Sequence, residues 1–339
     1  MHIAYKFKFL LTLNTVYTII KDNVKPRHTD MSTLVEKINT LKKEKNAVIL
    51  AHCYQNVEID EVADYVGDSL YLSRKAKDTN ADIIVFAGVS FMAETAKLLS
   101  PEKKVLLPRL EAGCFMANMI NVESLRQFKT MYPGVPSVCY VNSTAEIKAE
   151  CDVCCTSSNA LNVVKSLGVD EVLFLPDTYL GKWVEAQLGG KVRVHTYNGF
   201  CPTHLRLRPE DIEKSRHEHP NSKILAHPEC HHTVSALADF VGSTKEIMEY
   251  VSKTNFREYT IATEKGVYDR LCRDYKNKTF YLLKDTLVCQ NMKWNTLDDI
   301  YNALLREEHE ITLDMEMSRK AVACIDRMFE ITQPVVSVA

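Results

Sequence analysis

Cys114, Cys201 and Cys289 stand 87 and 88 residues apart, and each ends a segment that begins as an apolar strand: KKVLLPRLEAGC, KVRVHTYNGFC and KTFYLLKDTLVC. Any one of them alone reads as a small buried hydrophobe. Their common spacing makes them a set of soft ligands. Three thiolates suit a [4Fe–4S] cluster whose fourth iron is open to substrate, or a zinc ion completed by water; softness alone does not choose between the two. An open iron would act as a Lewis acid on a hydroxyl, carbonyl or carboxylate.

Other polar positions recur with the same offsets. His52, Tyr140 and His227 are separated by 88 and 87 residues, as are Tyr54, Asn142 and Glu229, and Ser69, Ser157 and Thr244. Agreement at several independent positions marks an internal repeat. Three sets of His/Tyr, Tyr/Asn/Glu and Ser/Thr side chains would thus surround the three thiolates.

The elements that must position these groups repeat too. Each copy opens with a short apolar strand, AVILAHC, PSVCY or SKILAH, followed by a helix-length segment and then the hydroxyl residue. A second strand follows (ADIIVFAG, DEVLFLP, REYTIAT), then a helix, then the strand that leads to the cysteine. Ile38, Leu125, Ile212 and Ile300 form a helical series at 87, 87 and 88 residues. The expected fold class is α/β: three homologous three-layer αβα units with small parallel sheets in pseudo-threefold arrangement. The units are placed at 31–116, 117–203 and 204–291, with helices of 292–339 packing back on the first. In parallel sheets ligands bind beyond the carboxyl ends of the strands, where the repeated polar residues lie.

Bulk properties narrow the function. A chain of 339 residues with 46% hydrophobic residues can bury a large core. A net charge of −2 carries no basic surplus for nucleic acid. Eleven cysteines, an odd and unevenly spread number, fit a reducing cytoplasm better than a disulfide framework. Cys151, Cys154 and Cys155 form CDVCC, a weak metal signal placed in a helix region; Cys139, Cys272 and Cys324 read as structural. Residues 1–30 are basic and partly apolar without a clear membrane span, and are expected to be a poorly ordered extension ahead of Met31. No membrane partner is expected, and subunit number is left open.

Taken together, AHCYQ at 51–55, GDS at 67–69, EAGC at 111–114, YVNS at 140–143, TSSN at 156–159, FCPTH at 200–204, HPEC at 227–230, GST at 242–244 and CQNMKWNTLDDIY at 289–301 resemble the quinolinate synthase family of NAD biosynthesis. The resemblance runs from about residue 32 to 328. Cys53 departs from it, where the family commonly has a second tyrosine. It implies a condensation of iminoaspartate with dihydroxyacetone phosphate to quinolinate, phosphate and two waters, with iminoaspartate supplied by a separate aspartate oxidase or dehydrogenase. It implies that Cys114, Cys201 and Cys289 hold the [4Fe–4S] cluster and that His52 and Tyr54 are active-site residues. Ser69, Tyr140, Asn142, Ser157, His204, His227, Glu229 and Thr244 take the family's remaining pocket positions, with Glu229, Tyr54 and His52 in catalysis. The competing readings are another iron–sulfur hydro-lyase and a non-catalytic iron–sulfur sensor.

Overall fold

The computed structural model describes residues 31–332. The expected extension, 1–30, lies outside that range. Among the described residues, twelve strands form three all-parallel sheets of four, each with the same winding: β2-β1-β3-β4, β6-β5-β7-β8 and β10-β9-β11-β12. The first sheet uses β1 (Ala47–His52), β2 (Tyr65–Gly67), β3 (Ile83–Ala87) and β4 (Lys104–Leu106). The second uses β5 (Ser137–Tyr140), β6 (Val153–Cys155), β7 (Glu171–Leu175) and β8 (Arg193–Thr196). The third uses β9 (Lys223–Ala226), β10 (Phe240–Val241), β11 (Glu258–Ala262) and β12 (Thr279–Leu282). The central strands are apolar on both faces because helices cover both. Ile49, Leu50, Leu173, Phe174, Leu225 and Ile261 are fully buried, and each such side chain contributes about 1.5–3 kcal/mol relative to exposure.

Each sheet therefore has one strand more than the three expected. The extra strands, β2, β6 and β10, are two or three residues long. An aspartate pins each of them at its start. Asp64 accepts from the Ile49 amide at 2.8 Å, Asp152 from Ser137 at 2.7 Å and Asp239 from Ile224 at 2.9 Å, each across 15 residues of chain. The VCC of CDVCC is thus a strand, not a helix. Cys139 and Cys154 pair across β5 and β6, and Cys154 Sγ lies 3.4 Å from Cys324 Sγ in the core.

The hydroxyl residues also sit differently from expectation, before a helix rather than after one. Ser69 and Thr244 open α2 (Ser69–Asp78) and α10 (Thr244–Lys253), and Ser157 precedes α6 (Ala160–Ser166). The side chains that cap are their neighbours: Asp68 accepts from the Tyr71 amide, and Ser243 forms a capping box with Glu246. Remaining helices are α1 (Met31–Glu44), α3 (Ser90–Leu99), α4 (Val122–Thr130), α5 (Ala145–Ala149), α7 (Thr178–Gln187), α8 (Pro209–Glu218), α9 (His232–Ser235), α11 (Lys265–Asp274) and α12 (Gln290–Lys293). After them, α13 (Leu297–Arg306) buries Ile300 and Leu304 with Leu34, Ile38 and Ile49 of the first unit. The last helix, α14 (Met315–Thr332), departs from the expected return to that unit. It buries Ala321, Cys324, Ile325 and Met328, one face at helical spacing, chiefly against α5, β6 and α6 of the second unit.

Candidate active site

All thirteen residues singled out in the sequence line one pocket at the carboxyl ends of the three sheets. His52 and Tyr140 end β1 and β5, and His227 follows β9. Each cysteine stands in the loop beyond β4, β8 or β12, shortly before a short helical segment: Cys114 three residues before Ala117–Met119, Cys201 three before His204–Arg206, and Cys289 immediately before α12. Burial pushes the thiols up, Cys114 to about 12 and Cys289 to about 11, with Cys201 raised well above its ordinary value. Backbone amides oppose the shift. The amides of Ala117, His204 and Met292 favour the thiolates of Cys114, Cys201 and Cys289 respectively. In every copy this donor lies three residues after the cysteine. The three thiols also repel one another electrostatically when ionised, so they share one locality.

The same pocket is lined by a network centred on Glu229, which is 4% exposed. Tyr140 donates its hydroxyl to Glu229 Oε1 at 2.6 Å. His204 Nδ1 approaches Oε2 to 2.8 Å, at an angle too oblique for a well-formed hydrogen bond. Burial pushes the Glu229 carboxyl up, but its electrostatic interaction with His227 at low pH, where that imidazole takes up its proton, the His204 contact and the Tyr140 hydroxyl outweigh it and hold the group down at about 2. His204 Nε2 lies 2.9 Å from Thr263 Oγ1, and that oxygen lies 3.2 Å from the Tyr54 hydroxyl. The Tyr54 hydroxyl also meets Thr244 Oγ1 at 3.1 Å. A hydroxyl, an imidazole and a carboxylate in this order can relay a proton.

Two histidines share a local geometry. The Tyr54 amide donates to His52 Nδ1 at 3.1 Å, and the Glu229 amide to His227 Nδ1 at 3.3 Å. Each accepted bond leaves Nε2 to carry the proton of the neutral ring. Burial lowers both imidazoles to about 3; cationic Arg270 and Lys293 add to the effect on His52, and His204 to that on His227. Burial also drives the phenols of Tyr54 and Tyr140 well up, so both keep their protons at neutral pH. Two acceptors, Asn142 Oδ1 and Asn291 Oδ1, are buried at the pocket without a protein partner.

Not all of this set was visible in the spacing. Thr263, Glu264, Asn291 and Lys293 carry no obvious chemical signature in the sequence. For Glu264 a signal existed: Asp177, 87 residues earlier, likewise caps the helix after the third strand of its unit. Cys53 and Cys230 are buried and lie outside the pocket lining.

The fold and the site together define a class: a three-unit α/β enzyme with a pocket lined by three thiols and a buried carboxylate network. The family model described as Quinolinate synthetase A protein matches residues 36–330. Proteins named quinolinate synthase are similar along most of their length. The one from Alkaliphilus metalliredigens is 50% identical over 300 residues, 88% of this chain and 99% of the relative. That from Dehalococcoides mccartyi is 49% identical over 296 residues, covering 87% and 97%. That from Caldicellulosiruptor saccharolyticus is 44% identical over 303 residues, covering 89% and 100%. The chain belongs to the quinolinate synthase family, enzymes of NAD biosynthesis.

Proposed function

We propose that the pocket condenses iminoaspartate with dihydroxyacetone phosphate, releasing phosphate and two waters to give quinolinate, on a [4Fe–4S] cluster held by Cys114, Cys201 and Cys289. The observation that carries the cofactor assignment is that three cysteines at the repeat spacing line one pocket, each with an amide three residues on that favours its thiolate. Amide donors to sulfur and a soft ligand set fit an iron–sulfur cluster. Cys201, His204 and Glu229 also offer ligand atoms within 4.8 Å of one another, a spacing one ion can span. The cluster reading is favoured because His204 and Glu229 already engage Thr263 and Tyr140, while Cys114 and Cys289 lie outside that group.

The bound cluster would supply an open iron that polarises nitrogen or carboxylate oxygen of the substrate. The protein supplies the rest. His52 and His227, neutral at physiological pH, present Nε2–H donors to substrate carboxylates. Ser69 and Thr244, at the first turns of α2 and α10, add hydroxyls where helix N-termini favour phosphate or carboxylate; Ser157 adds a third hydroxyl. Asn142 offers its unpartnered oxygen to a substrate N–H. Glu229 enters as a carboxylate and accepts protons during imine–enamine conversion and dehydration. Tyr54 and Tyr140 enter protonated and donate, with Thr263 and His204 linking Tyr54 to Glu229.

The reaction is placed in the cytoplasm, with a separate aspartate oxidase or dehydrogenase supplying iminoaspartate. No helix among the described residues is long and apolar enough to cross a membrane. The test is an anaerobic assay with dihydroxyacetone phosphate and freshly generated iminoaspartate. Quinolinate should form with the wild-type chain, and Glu229→Gln should keep its iron while losing about 10²-fold or more in kcat. Absence of quinolinate from an iron-loaded wild-type chain supplied with both substrates would refute the assignment.

A further inference from the structure

The turn that carries Tyr54 is held by two cations, the buried Arg270 of the third unit and the partly buried Lys293 just after it. Arg270 donates to the carbonyls of Cys53 at 2.7 Å and Gln55 at 3.0 Å, and pairs with Asp60. Lys293 Nζ donates to the carbonyl between them, Tyr54 O, at 2.5 Å, and reaches Gln55 O at 3.4 Å. Three consecutive carbonyls are thereby fixed from one side. Lys293 also stands 3.3 Å from Glu264 Oε1, and that same oxygen accepts the backbone N–H of Cys289 at 3.1 Å. The other oxygen, Oε2, accepts from Gly266 N at 2.5 Å, so the carboxylate cannot swing away without losing both amides. A single ion pair therefore joins the seat of one thiol to the backbone of Tyr54.

The fold does not require this pair. At the equivalent places the first unit has Val89 and Asn118, and the second has Asp177 and Leu205. Both build the same sheet, helix and cysteine turn without a lysine there. Nor is a buried ion pair an efficient source of stability, since desolvation offsets most of the attraction. What Glu264 and Lys293 hold is specific: one amide at the thiol floor and two carbonyls at the wall.

We propose that Glu264 and Lys293 are positioning residues that lock the Cys289 seat to the Tyr54 turn, so that the thiol floor and the proton-donating wall of the pocket move as one body. The inference rests on the cluster reading of Cys289. Neither residue needs to touch a reacting atom. Loss of either one should loosen both ends.

The test is a double-mutant cycle on the anaerobically purified full chain, with Glu264→Gln, Lys293→Met and the double variant. Glu264→Gln preserves shape and an acceptor for the Cys289 amide; Lys293→Gln, which retains one donor, replaces Lys293→Met if the latter does not fold. Two quantities are read beside far-UV circular dichroism: the rate of iron loss to a chelator, and kcat with KM. Each single variant should speed iron loss and lower kcat by about 10- to 100-fold, the usual range for residues behind metal ligands, with KM changed less than about threefold. The double variant should be no worse than the poorer single one, because the residues act through one contact. A lysine variant that lowers kcat while its iron loss stays at the wild-type rate would overturn the proposal. So would a Glu264→Gln chain that loses iron faster at unchanged kcat, or effects that multiply in the double variant. A wild-type chain without iron or quinolinate formation would instead refute the functional reading itself.

Discussion

Removing one hydroxyl should move the acid limb of the reaction. Tyr140 donates to Glu229 Oε1 at 2.6 Å, and both groups are buried, so water cannot replace the bond. A hydrogen bond to a charged group is worth about 1.5–3 kcal/mol. At about 1.4 kcal/mol per pKa unit, Tyr140→Phe should raise the Glu229 carboxyl by roughly one to two units. The folded value is about 2 and lies below the ordinary carboxylate value, so the ionised form stabilises the fold above about pH 4.3, and that contribution is lost as pH falls through the folded value. Raising the folded value surrenders part of it. The assay is kcat against pH from 2 to 7, anaerobically, a range that spans both the wild-type value of about 2 and the raised one, with iron content and circular dichroism measured on each sample. The plateau will fall because a donor is gone; the diagnostic quantity is the position of the acid limb. A folded, iron-loaded Tyr140→Phe chain whose acid limb coincides with that of wild type would refute the role of Tyr140 in holding Glu229 ionised.

Three further outcomes are expected. Cys114→Ser, Cys201→Ser and Cys289→Ser should each lose iron and activity, whereas Cys139→Ser, in the core of β5, should lower the melting temperature and keep iron; an iron-loaded Cys201→Ser chain would contradict the ligand set. Gly266→Ala should disturb the Tyr54 turn, because the added Cβ would lie 2.7 Å from Cys53 O and 2.9 Å from Tyr54 Cα, backbone atoms that cannot step aside; a stability loss of about 1–3 kcal/mol and a fall in kcat are expected, read by urea titration and steady-state kinetics. His52 and His227 titrate at about 3 in the fold against about 6.5 unfolded. Below pH 6.5 the unfolded chain binds protons the folded one does not, so stability should fall between pH 6.5 and 3, by roughly 4 kcal/mol for the pair at pH 5. His52→Gln should remove about half of that loss, and an unchanged dependence would show that His52 is not held neutral.

Much of this arrangement was legible because the repeat transmits both elements and chemistry. The 87-residue period placed His52, Tyr140 and His227 at strand ends and three cysteines beyond the last strands, and the pocket gathers all of them. The strands β2, β6 and β10 escaped notice because two or three residues cannot display an alternation. Their signature was instead an aspartate, Asp64, Asp152 or Asp239, that reaches back to the first strand. Position 324 read as a lone structural cysteine, and only the packing of α14 on the second unit brings it to Cys154. Thr263 and Lys293 acquire their roles from cross-unit contacts, which leave no local pattern in a single chain. Hydrophobic periodicity reports which face of an element is buried; it does not report which foreign backbone an ammonium will meet.

The central claim is that three thiols hold an iron–sulfur cluster beneath a pocket that makes quinolinate. It is tested most directly by iron and acid-labile sulfide analysis of the anaerobically purified chain, carried out on the same sample that is assayed for quinolinate. The account predicts a brown protein with roughly four irons and four sulfides per chain and turnover that disappears with the iron. A colourless, active protein carrying one zinc would contradict it.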